Sequence, residues 1–228
     1  MKTLTLIATA FTMLASVAKA DTIKVLQPSL YQRPSHAAAH FEVPMNLARF
    51  QGTTWTLDQI VSHVKGLAEV YEQCSIRFSE VKIYDMSMPL PNDLASRDIR
   101  GIQKLAEQTG GLQRPLTYLI ETLTDTDKPT PFAKAQFVEM NSGVVPSALL
   151  NTIWFPSYVN SDAYLNERLA SPYNVLAHEF GHILLLDGQH NGDDPGNLLS
   201  IWRRRNNTIT PQQCAEMVKS KLLQPVVH

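Results

Sequence analysis

A helix that is apolar on every side has to be buried, and the stretch NVLAHEFGHILLLDGQH, from Asn174 to His190, reads as such a helix with charged chemistry inside it. Ser171 is a good N-cap, Pro172 suits the first helical position, and Gly188 is the first residue expected to end the run. Val175, Leu176, Ala177, Phe180, Ile183, Leu184, Leu185 and Leu186 cover nearly the whole circumference. His178, Glu179 and His182 sit among them. Burying such groups without partners costs several kcal/mol each, so something must compensate.

A divalent metal compensates directly. His178 and His182 are four apart, which projects both imidazoles from one helix face, one turn apart. That suits two ligands of one tetrahedral Zn2+, and Glu179, next to the first, can lean toward a water on the metal without ligating it. This is the H-E-x-x-H pattern, in which the carboxylate takes a proton as the water attacks a carbonyl. A third ligand is needed. With the chain turning at Gly188, His190 is the leading candidate, and Asp187 and Glu216 are alternatives.

The rest of the chain sets the frame. Lys2, the apolar run Leu4 to Val17 and the small-x-small sequence Ala18-Lys19-Ala20 read as a secretory signal peptide over residues 1–20, cut after Ala20. The run is shorter than a membrane span requires, and no later segment qualifies, so no stable membrane insertion is expected. Residues 21–228 suit one domain, placed in the periplasm or outside the cell. A formal charge of −1 gives no electrostatic footprint for nucleic acid, and Arg203-Arg204-Arg205 reads as a solvated loop. Cys74 and Cys214 are the two cysteines, and export favours a bridge between them.

Thr56 and Gln59 form a capping box ahead of a helix whose stripe is Ile60, Val64, Leu67, Tyr71 and Cys74. His63 lies beside the stripe and reads as a surface or boundary residue with no role. Ile76 and Phe78 alternate, and Val81 and Ile83 resume the pattern one step out of phase, which predicts a strand with a bulge. A second helix is expected over Asp93 to Thr109, then strands in RPLTYLIETL, PFAKAQFVEM and NTIWFPSYV. Thr210, Pro211 and Gln213 open a last helix expected to reach Leu223. The order predicts an α+β or α/β sandwich, helices packed on a mixed sheet.

On HEFGHILLLDGQH and the downstream NLLS, the chain resembles the metzincin clan of zinc metallopeptidases. The resemblance implies a zincin-like α+β domain with a mostly parallel sheet, an active-site helix and a C-terminal helix. It implies Zn2+ held by His178, His182 and His190, Glu179 as base, a turn beneath the metal at Asn197-Leu198-Leu199, and an edge strand at Ala133 to Val138 that binds peptide. The clan's pattern has glycine three residues after the second histidine and its last ligand three further on. This chain has Leu185 there, its next glycine is Gly188, and its last histidine comes two residues late. Leu199 stands where the clan's turn carries methionine. Tyr158, Tyr164 and Tyr173 are candidates for an oxyanion partner, with nothing to choose among them. The function implied is an exported zinc peptidase acting on a peptide or protein. The alternative is a non-catalytic zinc protein that recognises peptides or cell wall.

Overall fold

The computed structural model describes residues 20–33, 38–89, 94–95, 99–121, 123–124, 134–136, 149–161, 173–186, 194, 196–200 and 207–227. Its strands are β1 Thr22–Val25, β2 Phe41–Gln51, β3 Ile76–Pro89, β4 Leu94–Ala95, β5 Leu116–Ile120, β6 Leu123–Thr124, β7 Lys134–Gln136, β8 Thr152–Pro156 and β9 Gln224–Pro225. Its helices are α1 Leu57–Tyr71, α2 Ile99–Gln108, α3 Tyr173–Leu185 and α4 Pro211–Met217.

The sheet runs β1-β3-β2-β5-β8-β7, with β9 added against one end of β2. Its middle is parallel: β2 pairs with β3 and β5, and β5 with β8. The flanking strands β1, β7 and β9 are antiparallel to their neighbours. This is the mixed sheet expected from the order of elements, and the mostly parallel α+β arrangement that the resemblance implied. Strands in such a centre are covered on both faces and read as unbroken apolar runs. All five residues of β5 and all five of β8 are buried accordingly.

Alternate residues feed two cores. Leu47, Leu119, Ile153 and Phe155 face α1 and α3, while Ala48, Tyr118 and Trp154 face Leu105 and Ala106 of α2. The expected bulge is present. Val43 pairs with Phe78 and Met45 with Val81, so Pro44 alone opposes Ser79 and Glu80. The extra residue reverses the alternation, which puts Ile76, Phe78, Val81 and Ile83 into one core.

Helix α1 begins at its capping box, with Thr56 Oγ1 accepting from the Gln59 N–H (3.2 Å) and Gln59 Oε1 accepting from the Thr56 N–H (2.9 Å). Its expected stripe is buried, and so is His63. Cys74 and Cys214 are bridged, closing a separation of 140 residues.

Several boundaries differ from expectation. The second helix starts at Ile99 rather than Asp93, because Leu94 and Ala95 pair with Leu123 and Thr124 instead. Helix α4 stops at Met217, short of Leu223, since the chain must leave it to pair β9 with Phe41 and Glu42 of β2. The region PFAKAQFVEM yields strand β7, which among the described residues ends the sheet beyond β8. Strands β1, β2 and β9 have no counterpart in the expectations.

Candidate metal centre

Helix α3 is buried on all sides as its sequence requires, with Val175, Leu176, Ala177, Phe180, Ile183 and Leu184 each at most 6% exposed. Tyr71 of α1 donates its hydroxyl to the Ala177 carbonyl at 2.8 Å. Gly181 is where neighbours come closest. A Cβ placed there would lie 3.0 Å from Leu199 Cδ2 and 3.1 Å from the Tyr71 oxygen. A side chain at this position would require the Leu199 and Tyr71 side chains to give way slightly.

His178 and His182 are buried, at 1% and 4% exposure, and Glu179 is at 9%. The two rings are perpendicular, 4.7 Å between centroids, with their Nε2 atoms 3.1 Å apart. His178 Nδ1 donates to the Leu198 carbonyl at 2.7 Å. With its proton on Nδ1, neutral His178 presents a lone pair on Nε2, aimed at the Nε2 of its neighbour. Nitrogens this close can share one proton or one cation. Two imidazoles on a tetrahedral zinc, at about 2.05 Å each, would stand about 3.3 Å apart. The pair fits that spacing with almost no movement, and the Nδ1-to-carbonyl bond is the support that metal-ligating histidines ordinarily have.

The Asn197-Leu198-Leu199 segment is a turn that lies against α3. Asn197 bridges to Thr208, and the Leu198 N–H donates to the Thr208 carbonyl at 2.8 Å. Asn197 Oδ1 accepts from the Leu199 N–H at 2.9 Å, and the Ser200 N–H donates to the Asn197 carbonyl at 3.1 Å. Leu199, in the place of the clan's methionine, is buried against the Gly181 face of α3.

The helix ends sooner than expected. Its last residue is Leu185 and Leu186 takes the left-handed conformation, φ +52°, so the reversal comes two residues before Gly188. The expectation that the helix runs on to Gly188 is thereby corrected. Leu186 falls one position after the clan's glycine, and αL at the position just past a helix is the usual C-terminal geometry, with leucine in glycine's place. His190, Asp187 and Gly188 themselves lie outside the described residues. Among the described residues there is no group of three His, Cys, Asp or Glu side chains that could hold a metal. Glu216 is exposed and paired with Lys219 at 2.6 Å. Tyr158 packs half-buried against the larger core, and Tyr164 lies outside the described residues, as do Ser171, Pro172 and Arg203 to Arg205.

His63 is the second histidine site, and it overturns the reading of a boundary residue. It is 1% exposed, edge-on to Trp55 and Phe155, with Nε2 donating to Asn160 Oδ1 at 2.9 Å. Burial holds its pKa down at about 4, against the upward pull of the Asn160 bond. Its α1 position one residue off the stripe gave no sign of this, because the burying rings come from Trp55 and β8.

No protein family's sequence profile matches the chain, and no curated protein sequence matches it. Solved structures do. Metalloproteinase-II from Bacteroides fragilis superimposes with a TM-score of 0.51 at 15% identity, over 83% of this chain and 55% of that one. Archaemetzincin from Methanopyrus kandleri gives a TM-score of 0.49 at 15% identity, over 82% of this chain and 97% of that one. The chain thus spans little more than half the length of the Bacteroides protein, and what it shares with that metalloproteinase is the zincin-like α+β fold.

Proposed function

We propose that this chain is an exported zinc-dependent metallopeptidase, in which His178, His182 and His190 hold Zn2+ and Glu179 is the general base. The observation that carries the reading is the pair of buried Nε2 atoms 3.1 Å apart, with His178 oriented by the Leu198 carbonyl. The fold shared with a metalloproteinase supports it. The signal peptide over 1–20 and a periplasmic or extracellular location belong to the same reading. A formed Cys74–Cys214 bridge favours an oxidising compartment, and no helix among the described residues is long and apolar enough to cross a membrane.

Bound zinc would supply Lewis acidity, bringing the pKa of a coordinated water to about 7 and polarising a carbonyl. The chain's own residues do the rest. His178 and His182 present lone pairs from one face of a rigid, buried helix. Glu179, adjacent in sequence and nearly buried, accepts the proton of the attacking water and returns it to the leaving nitrogen. The substrate is a peptide or protein in extended form. Among the described residues strand β7 is the edge of the sheet next to β8, and an edge offers main-chain groups to such a chain.

The test is zinc content and casein hydrolysis by wild type, Glu179→Ala and His190→Ala. Glu179→Ala is expected to keep zinc and lose at least a hundredfold in rate, the span usual for a general base. His190→Ala is expected to lose zinc. A zinc-loaded wild type that cuts no peptide bond would instead favour the non-catalytic alternative. Undiminished zinc in His190→Ala would remove that residue as a ligand.

A further inference from the structure

The orientation of His178 is set from outside its own helix. Its Nδ1 proton goes to the Leu198 carbonyl, and Leu198 is bracketed by residues that are themselves held. On one side, Asn197 forms a reciprocal amide pair with Gln213. Asn197 Nδ2 donates to Gln213 Oε1 at 2.7 Å, and Gln213 Nε2 donates to Asn197 Oδ1 at 3.1 Å. Gln213 Oε1 also accepts from the Thr210 N–H at 2.9 Å, so one amide both caps α4 and holds the turn. On the other side, the Leu198 N–H is bound to Thr208, and the residues flanking Thr208 are held by Gln73. Gln73 Nε2 donates to the Asn207 carbonyl at 2.6 Å, and its Oε1 accepts from the Ile209 N–H at 3.3 Å. Gln73 and Gln213 immediately precede Cys74 and Cys214, which are bonded to each other. The two clamps therefore share one covalent root.

We propose that Gln213, with Gln73 behind it, is a positioning residue for the histidine pair: the two glutamines beside the disulfide fix the Leu198 carbonyl that keeps the His178 proton on Nδ1. A capping box alone explains the contact to Thr210 but not the two bonds to Asn197. Those bonds fill both hydrogen-bonding ends of a buried amide whose only further duty is to shape the turn. The proposal rests on His178 and His182 being metal ligands only for its effect on zinc; its effect on the His178 tautomer stands apart from that reading.

Two measurements test it on the zinc-free protein and then with Zn2+ alone. Long-range proton–nitrogen correlation of the imidazoles reads the His178 tautomer, and competition against a chromophoric chelator reads zinc affinity. Wild type is expected to show the Nδ1–H form. Gln213→Ala is expected to show a mixture and to bind zinc about tenfold more weakly, the lower end of what losing an outer partner costs a metal site. Gln213→Glu keeps the acceptor for Asn197 and Thr210 but loses the donor to Asn197 Oδ1, and it should fall between the two. Thr210→Ala removes the hydroxyl cap of α4 and leaves the amide pair, so it should cost stability without moving tautomer or affinity. An unchanged tautomer in Gln213→Ala overturns the proposal. A loss in Thr210→Ala equal to that in Gln213→Ala also overturns it, by assigning the effect to the helix cap. If wild type binds no zinc, the metal reading fails, and the tautomer comparison alone decides the positioning role.

Discussion

His63 makes the stability of this fold depend on pH in a direction that can be worked out. Its pKa is lowered from 6.5 to about 4 in the folded protein, first by burial between Trp55 and Phe155. The folded state therefore prefers the neutral ring, and between pH 4 and 6.5 the unfolded chain binds more protons. Stability from this group is complete above about pH 6.5 and is lost as pH falls toward 4. At about 1.36 kcal/mol per unit, the loss is roughly 2 kcal/mol at pH 5 and roughly 3 kcal/mol at pH 4. The comparison is with His63→Gln, which retains a donor for Asn160 Oδ1 and cannot titrate. Urea unfolding of both proteins at pH 7, 6, 5 and 4.5 gives the difference in unfolding free energy, in which every other titrating group cancels. Wild type should lose its advantage steadily below pH 6.5. A difference that stays constant across the series would show that His63 is hydrated or protonated in the folded protein, and the argument from burial would fail.

Three further variants probe the frame of the site. Gly181→Ala sets a helix-propensity gain of about 1 kcal/mol against overpacking of about 1–3 kcal/mol. Tyr71 is tied to Ala177 and Leu199 is buried, so overpacking should win and urea denaturation should show a net loss. A stabilised variant would mean that the turn yields freely. Leu186→Gly should raise stability by about 0.5–1 kcal/mol, since it relieves a left-handed leucine that is 48% exposed and has little packing to lose; a lower thermal midpoint counts against the assigned backbone. Replacing Cys74 and Cys214 together by serine opens a loop of 140 residues, for which chain entropy gives about 5 kcal/mol. A loss under about 1 kcal/mol in chemical denaturation would place the stabilisation elsewhere.

The features legible in the sequence are those decided within a few residues. The capping box and stripe of α1, the phase change at Val81 and the apolar circumference of α3 each follow from local spacing, and each is in place. Features decided by distant partners were hidden. Strand β2 carries Pro44, which argues against a central strand, yet the bulge opposite Ser79 and Glu80 removes the need for its N–H. Strand β1 alternates Thr22, Ile23, Lys24 and Val25, but at four residues the pattern is too short to stand out, and all four are exposed at the edge of the described sheet, so no buried face supports it. The start of α2 and the end of α4 were each placed too generously, because pairing with β6 and β2 takes the residues that local propensity would have left helical.

The same division runs through the candidate site. Spacing alone brought His178 and His182 onto one face, because a single helix carries both. The end of that helix is not legible in the same way, because glycine's preference for the left-handed region is a tendency, whereas the fold imposes that conformation on Leu186. Gln213 was legible only as a helix-start residue, for its second partner, Asn197, is brought to it by the turn and by the bridge from Cys74 to Cys214. A motif thus names the atoms that could bind a metal, while the groups that hold those atoms at working distance come from segments the motif does not contain. The His178 ring illustrates the consequence: its helix puts it beside His182, but which of its nitrogens carries the proton is set twenty residues away, at the Leu198 carbonyl.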